Sequence, residues 1–284
     1  MWAVWVAAGI AGVVLSYVIG ISLYAKGMKK KDLLYPLEGA EIGIERDIEY
    51  KRAEDKALLM DLYRPSDVEN PPVVVLIHGE GAESFIRDAK DWALYRDYGR
   101  LLAENGLAAV SFNHRPGGIT VGFKDIDKAA GDVTDLAAYV RSRAGEWGVD
   151  GERICVWAFS AGGVYLNPFF RNTPAYIKCL VSFYGLLAAT AFTKKNQDYL
   201  SGYDPENYLA EDTLVPVLAV QAGKDRPQIA RGTERFLAAA KAKGIAVKHI
   251  LYAEGKHAFD VMNDTEETRR IIGETVRFIK DSLT

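Results

Sequence analysis

Cys155-Val156-Trp157-Ala158-Phe159-Ser160-Ala161-Gly162-Gly163 is the stretch on which the reading of the fold turns. An apolar, strand-forming run leads into a serine with small residues two positions before it and two after it. A chain that turns sharply from strand to helix, with one side chain exposed at the tip, needs that pattern. The small flanking residues let backbone segments crowd the turn, and a serine held there can serve as a nucleophile. The pattern is small-x-Ser-x-Gly, with Ala158 in the first small position.

Outward from this turn, apolar β-branched runs alternate with segments of helical period. Val73–Ile77, Leu107–Phe112, Arg153–Phe159, Ile177–Tyr184, Val217–Ala222 and Val247–Tyr252 read as strands, most of them apolar on both faces. Ala89–Asn105, Asp125–Ala144, Ile229–Lys243 and Thr265–Leu283 read as helices, the first and third closed by Gly106 and Gly244. Ile44–Tyr50 and Ala57–Tyr63 read as two strands around a charged turn, Arg52–Lys56. Residues 186–214 show no clear strand and read as a small cap. The alternation predicts an α/β class, with a mostly parallel, doubly wound sheet that binds ligands beyond the carboxyl ends of its strands.

An alcohol is a poor nucleophile at neutral pH; it needs a base within hydrogen-bond reach and an acid that orients the base. Downstream of Ser160, Asp225 stands at one strand end, in Gly223-Lys224-Asp225-Arg226-Pro227, and His257 follows another, in Gly255-Lys256-His257-Ala258-Phe259. Asp260 and Asp204 are the alternative carboxylates, and Asp225 also suits a plain turn. Among the four histidines, His249 falls inside a strand, and His78 and His114 precede the serine. An oxyanion would need preorganised N–H donors. The amide of Ala161 follows the nucleophile, and the loop His78-Gly79-Glu80-Gly81 supplies a second amide, from Glu80 or Gly81.

With these residues in view, the chain resembles the α/β-hydrolase superfamily, in particular its esterase/lipase and dienelactone-hydrolase-like branches. The shared features are His78-Gly79-x-Gly81, Arg115-Pro116, Ala158-x-Ser160-x-Gly162, Gly223-x-Asp225 and His257-x-Phe259. The resemblance implies the α/β-hydrolase fold, with Ser160 as nucleophile, His257 as base and Asp225 as acid. It further implies an acyl-enzyme formed on a carboxylic ester, and no cofactor. Two residues depart from the pattern. Ala158 replaces a glycine, and Glu80 stands where many relatives carry glycine. A carboxylate there would oppose the developing negative charge unless it is directed away. A peptidase, an acyltransferase or a catalytically silent binding protein of the same fold is the alternative function.

Residues 2–24 carry no charge and would span roughly 34 Å as a helix, enough to cross a bilayer. Lys26, Lys29, Lys30 and Lys31 follow. A cleaved signal peptide would want a basic stretch before the apolar run and small residues at its end; neither is present. The expected organisation is a transmembrane anchor over residues 1–25, a basic linker over 26–43 and a hydrolase domain over 44–284. The positive-inside rule then puts the domain on the cytoplasmic side. A formal net charge of −3 leaves no nucleic-acid footprint, so the expected partners are a small ester and the bilayer. Cys155 and Cys179 lack metal-ligand spacing and read as core residues.

Overall fold

A computed structural model describes residues 27–209 and 215–284. The expected anchor at residues 2–24 lies outside the described residues, and among those described no helix is long and apolar enough to cross a membrane. Among the described residues eight strands form one sheet: β1 (Ile42–Ala53), β2 (Lys56–Pro65), β3 (Pro72–Ile77), β4 (Ala108–Phe112), β5 (Asp150–Phe159), β6 (Ile177–Phe183), β7 (Val217–Lys224) and β8 (Val247–Lys256). Their order across the sheet is β1-β2-β4-β3-β5-β6-β7-β8. β1 and β2 form an antiparallel hairpin, β2 also runs antiparallel to β4, and every other pairing is parallel.

The hairpin turns in two residues, Glu54 and Asp55, both with positive φ. That twist suits a tight antiparallel connection. The strands therefore run closer to the turn than the charged stretch Arg52–Lys56 suggested.

Four long helices cover the sheet: α1 (Ala93–Glu104), α2 (Ile126–Trp147), α3 (Pro227–Ala242) and α4 (Glu266–Leu283). Strand periodicity sorts the central residues onto two faces. Val73, Val75, Ile77, Val110, Val156 and Ala158 share one apolar cluster with α2 residues Val133 and Leu136 and α3 residue Phe236. Val74, Leu76, Cys155, Trp157, Phe159 and Val181 share the other with Tyr98 and Leu102 of α1 and Ile272 and Ile279 of α4. Burying each such side chain contributes about 1.5–3 kcal/mol, which is why β3 and β4 carry hardly a polar side chain. Cys155 and Cys179 pair across β5 and β6 as buried free thiols.

The continuous helix expected over Ala89–Asn105 is broken. Ala89–Asp91 forms a separate 3-10 turn, and Trp92 is extended (φ −63°, ψ 143°) before α1 begins. Lys90 explains the break. Its amide donates to the Asn113 side chain (3.0 Å), and its buried ammonium donates to Asp61 (2.8 Å), so both groups are fixed away from a helical path. The described part of the expected cap, residues 186–209, is a run of short helical turns. Asp204 and Tyr199 tie it to α3 and α2 through Arg235 (3.0 Å) and Asp127 (2.5 Å).

Candidate active site

Ser160 leaves β5 directly into a 3-10 turn, Ser160–Leu166. Its φ is +55°, a conformation that costs a non-glycine residue about 1–3 kcal/mol and persists only where neighbours enforce it. The neighbours here are backbone. A Cβ on Gly162 would stand 2.4 Å from the His78 carbonyl oxygen, and one on Gly163 would stand 2.9 Å from that of Leu186. The Leu186 amide donates to the Ser160 carbonyl at 2.9 Å. Ala158 lies one step back in the strand, fully buried and paired with Ile77 and Ser182, so its methyl occupies core space and does not crowd the turn.

The turn aims Ser160 at His257. Ser160 Oγ lies 2.8 Å from His257 Nε2, and His257 Nδ1 lies 2.9 Å and 2.8 Å from the two carboxylate oxygens of Asp225. An ionised carboxylate only accepts, so the proton sits on Nδ1 and the Nε2 lone pair faces the serine hydroxyl. The Asp225 side chain is 1% exposed, whereas that of His257 is 24% exposed. The carboxylate is thus kept from water while the imidazole edge stays open to substrate. The arrangement can draw a proton from Ser160 as its oxygen attacks and return it to a leaving group.

The other carboxylates weighed from sequence are engaged elsewhere. Asp204 accepts from the Thr190 amide (3.1 Å) and from Arg235 (3.0 Å). Asp260 is fully buried and accepts from the hydroxyls of Tyr98 and Tyr184, each at 2.9 Å. Tyr184 presents its ring edge-on to His257 with centroids 5.0 Å apart, so Asp260 supports the imidazole through a tyrosine. Burial raises the Asp260 carboxyl to about 6 from an ordinary 3.8, against the lowering effect of its two tyrosine donors. Its folded form therefore holds a proton more tightly than its unfolded form. The stability that goes with the protonated form is lost as pH rises from about 4 to 6, and the loss amounts to about 3 kcal/mol above that window. Replacing Asp260 by Asn should remove this dependence. Urea unfolding at pH 4 and pH 7 should find the Asn variant gaining on the parent as pH rises; a constant difference would contradict the assignment.

Glu80 is directed away from Ser160. Its carboxyl is fully buried and accepts from the Gly117 amide (2.8 Å) and the Tyr165 hydroxyl (2.5 Å). One side chain thus joins the loop after β3, the loop after β4 and the 3-10 turn that begins at Ser160. Beside it, His78 and His114 stack with centroids 3.8 Å apart, and each Nδ1 meets a neighbouring backbone carbonyl, at 2.7 Å and 2.8 Å. Burial and the adjacent His114 ring hold the His78 imidazole well below its usual range, so it stays neutral. A second tie fixes the β4 loop. Arg115 donates three hydrogen bonds to the buried Asp132, which also accepts from Lys51 at 2.7 Å. Burial alone would raise Asp132, but these donors outweigh it and hold the carboxyl below the usual range.

Of the residues read as oxyanion donors, Ala161 is buried at the start of the turn and Glu80 follows a residue packed against the serine. That residue is Gly79, where a Cβ would stand 3.1 Å from Ser160 Cβ and 3.4 Å from Oγ. Gly81 lines a cavity of about 730 Å³ that also touches Leu58, Asn113, Arg115 and Lys128, and none of Ser160, Asp225 and His257 lines it. His249 meets Gln221 at 3.1 Å within the sheet, away from this site. Tyr95 and Tyr98 pack against Phe159 in the core. Tyr165 and Tyr184 are the supporting residues that sequence reasoning passed over. The tightness at Gly79 was written in the glycine itself, but nothing near Tyr165 or Tyr184 in the sequence announces their partners. Among the described residues no group of acidic, histidine or cysteine side chains is placed to hold a metal ion.

The BD-FAE family model matches residues 60–167, which carry the loops after β3 and β4 and Ser160 itself. No curated protein matches the sequence. Among solved structures, esterase B from Lactobacillus rhamnosis is 16% identical, with 96% of this chain and 94% of that one covered at a TM-score of 0.68. The Pyrobaculum calidifontis esterase is 21% identical, with 96% and 94% covered at 0.66. A truncated carbohydrate esterase from gut microbiota is 15% identical, with 87% and 99% covered at 0.68. The eight-stranded, mostly parallel sheet is an α/β-hydrolase fold.

Proposed function

We propose that this protein is a serine esterase, a carboxylic ester hydrolase anchored to a membrane through residues 2–24 with its catalytic domain on the cytoplasmic side. The observation that carries the enzymatic reading is the unbroken hydrogen-bonded run from Ser160 Oγ through His257 to Asp225. His257 Nε2 takes the hydroxyl proton while Ser160 Oγ attacks the ester carbonyl carbon. The carbonyl oxygen becomes an oxyanion facing the amides near Ala161 and Glu80. Collapse of that intermediate expels the alcohol, which leaves with the proton held by His257, and an acyl-Ser160 ester remains. Water, deprotonated by His257, then attacks the acyl carbon, and the acid is released as His257 returns that proton to Ser160 Oγ. The match to the BD-FAE model and the esterase neighbours support an ester as the bond cleaved. With Glu80 turned into its own network, its carboxyl does not oppose the oxyanion. The uncharged stretch and the lysines after it support the anchor and its orientation.

A pair of fluorophosphonate probes tests both parts. The full chain should be labelled, and Ser160→Ala should abolish labelling without loss of the folded protein. In intact cells a membrane-permeant probe should label it and an impermeant one should not. Labelling of the Ser160→Ala protein would refute the nucleophile, and labelling by the impermeant probe would refute the topology.

A further inference from the structure

The segment before β1 is strapped across the domain. Met28, Trp92 and Ala258 are partly buried and pack against the same apolar cluster. Lys29 pairs with Asp88 at 2.5 Å, and its ammonium lies 5.8 Å from the ring centroid of Phe85 and 5.9 Å from that of Trp92. Lys31 donates to the Val261 carbonyl at 3.4 Å, and the Leu34 amide donates to that of Asp260 at 2.8 Å. These partners flank the two catalytic loops. Phe85 is the side chain that a Cβ on Gly81 would strike, at 2.9 Å, and Ala258 directly follows His257. Residues 28–34 therefore bridge the oxyanion-loop side and the histidine side of the active-site rim.

We infer that this strap holds the mouth of the site against the bilayer surface and that the substrate is an amphiphilic ester drawn from that bilayer. The inference rests on the anchored ester-hydrolase reading above. Reach supports it, because the uncharged stretch runs to Ala25 and Lys29 is already held against Phe85 and Trp92. Four extended residues span at most about 14 Å. Charge supports it as well. Lys30 is exposed between Lys29 and Lys31, which are held by Asp88 and the Val261 carbonyl, and its charge suits anionic headgroups. The far end of the chain gives the contrast. Arg153 Nη1 donates to the Leu283 carbonyl at 2.8 Å, so the C-terminus sits beside the start of β5. Ser160 lies roughly 23 Å further along that strand direction. An anchor attached at the C-terminus would turn the site away from the lipid.

The experiment compares the full chain with a variant in which residues 1–25 are moved to follow Thr284, both reconstituted in phosphatidylcholine–phosphatidylglycerol vesicles. Two substrates are used: water-soluble p-nitrophenyl acetate and vesicle-embedded umbelliferyl oleate. The variant should match the full chain on p-nitrophenyl acetate and fall about tenfold or more on the embedded ester, because only the native attachment presents the mouth to a locally concentrated substrate. Equal ratios of the two rates in both proteins would overturn the inference. If the variant misfolds and loses both activities, the unmodified chain decides. It should cleave ester in its own vesicle at least about tenfold faster than ester in separate vesicles, and equal rates overturn the inference. Failure of the full chain on both esters would instead sink the ester-hydrolase reading, and this inference with it.

Discussion

Replacing His257 by alanine should lower kcat on p-nitrophenyl acetate by about 10⁴- to 10⁶-fold while KM changes little. Without the imidazole the Ser160 hydroxyl, whose proton is directed at Nε2 over 2.8 Å, has no acceptor as it attacks. Asp225→Asn should cost about 10⁴-fold, because an amide can donate to Nδ1, stabilise the wrong tautomer and leave Nε2 protonated towards the serine. The Asp225 side chain is 1% exposed, so water is poorly placed to restore the lost acceptor. Combining the two changes should give little more than His257→Ala alone, since the residues act as a unit. Turnover of His257→Ala within about tenfold of the parent would remove it from the role of base.

Gly162→Ala should also be damaging, by a different route. The added methyl would meet three backbone atoms, the His78 carbonyl oxygen at 2.4 Å and the His78 carbon and Ile77 oxygen at 3.1 Å each. No side-chain rotation relieves such a clash, so the loop carrying Gly79 and Glu80 must move away from Ser160 by the better part of an ångström. A displacement of about 1 Å in a catalytic group can cost about 10²-fold in rate. Overpacking of this kind also destabilises by about 1–3 kcal/mol. The expected result is a kcat lowered by about 10²-fold or more in a protein that still unfolds cooperatively in urea. Ala158→Gly, at the other small position, should keep most of the activity, because that methyl lies in the core. A Gly162→Ala enzyme with unchanged kcat would show that the loop is not held by this contact.

These two substitutions mark what sequence does and does not reveal. The order of strands and helices was legible because runs such as Val73–Ile77 are apolar on both faces, and only a covered parallel sheet buries both. The meeting of Ser160, Asp225 and His257 was legible as chain order and strand-end placement, which topology converts into proximity. The break at Trp92 was not legible, since it depends on Lys90 finding Asp61 and Asn113, which lie 29 residues before it and 23 residues after it. The direction of the Glu80 side chain was invisible for the same reason. Its partners, Gly117 and Tyr165, come from two other segments, and no local pattern encodes their convergence. The strap over residues 28–34 reads as a linker in sequence because its contacts are with Phe85, Asp260 and Val261, far along the chain.

The Glu80 junction has a consequence for how such a site can change. Three segments that enter the site separately, after β3, after β4 and after β5, share one buried acceptor, so none can shift without leaving a polar group unpaired, at about 1–3 kcal/mol. That half of the site behaves as a single casting, fixed before any substrate arrives. The short turns of residues 186–209 and the segment at Phe85 and Trp92 do not depend on that acceptor. Variation in what the enzyme accepts is therefore expected outside these three segments, while the chemistry stays in the mould.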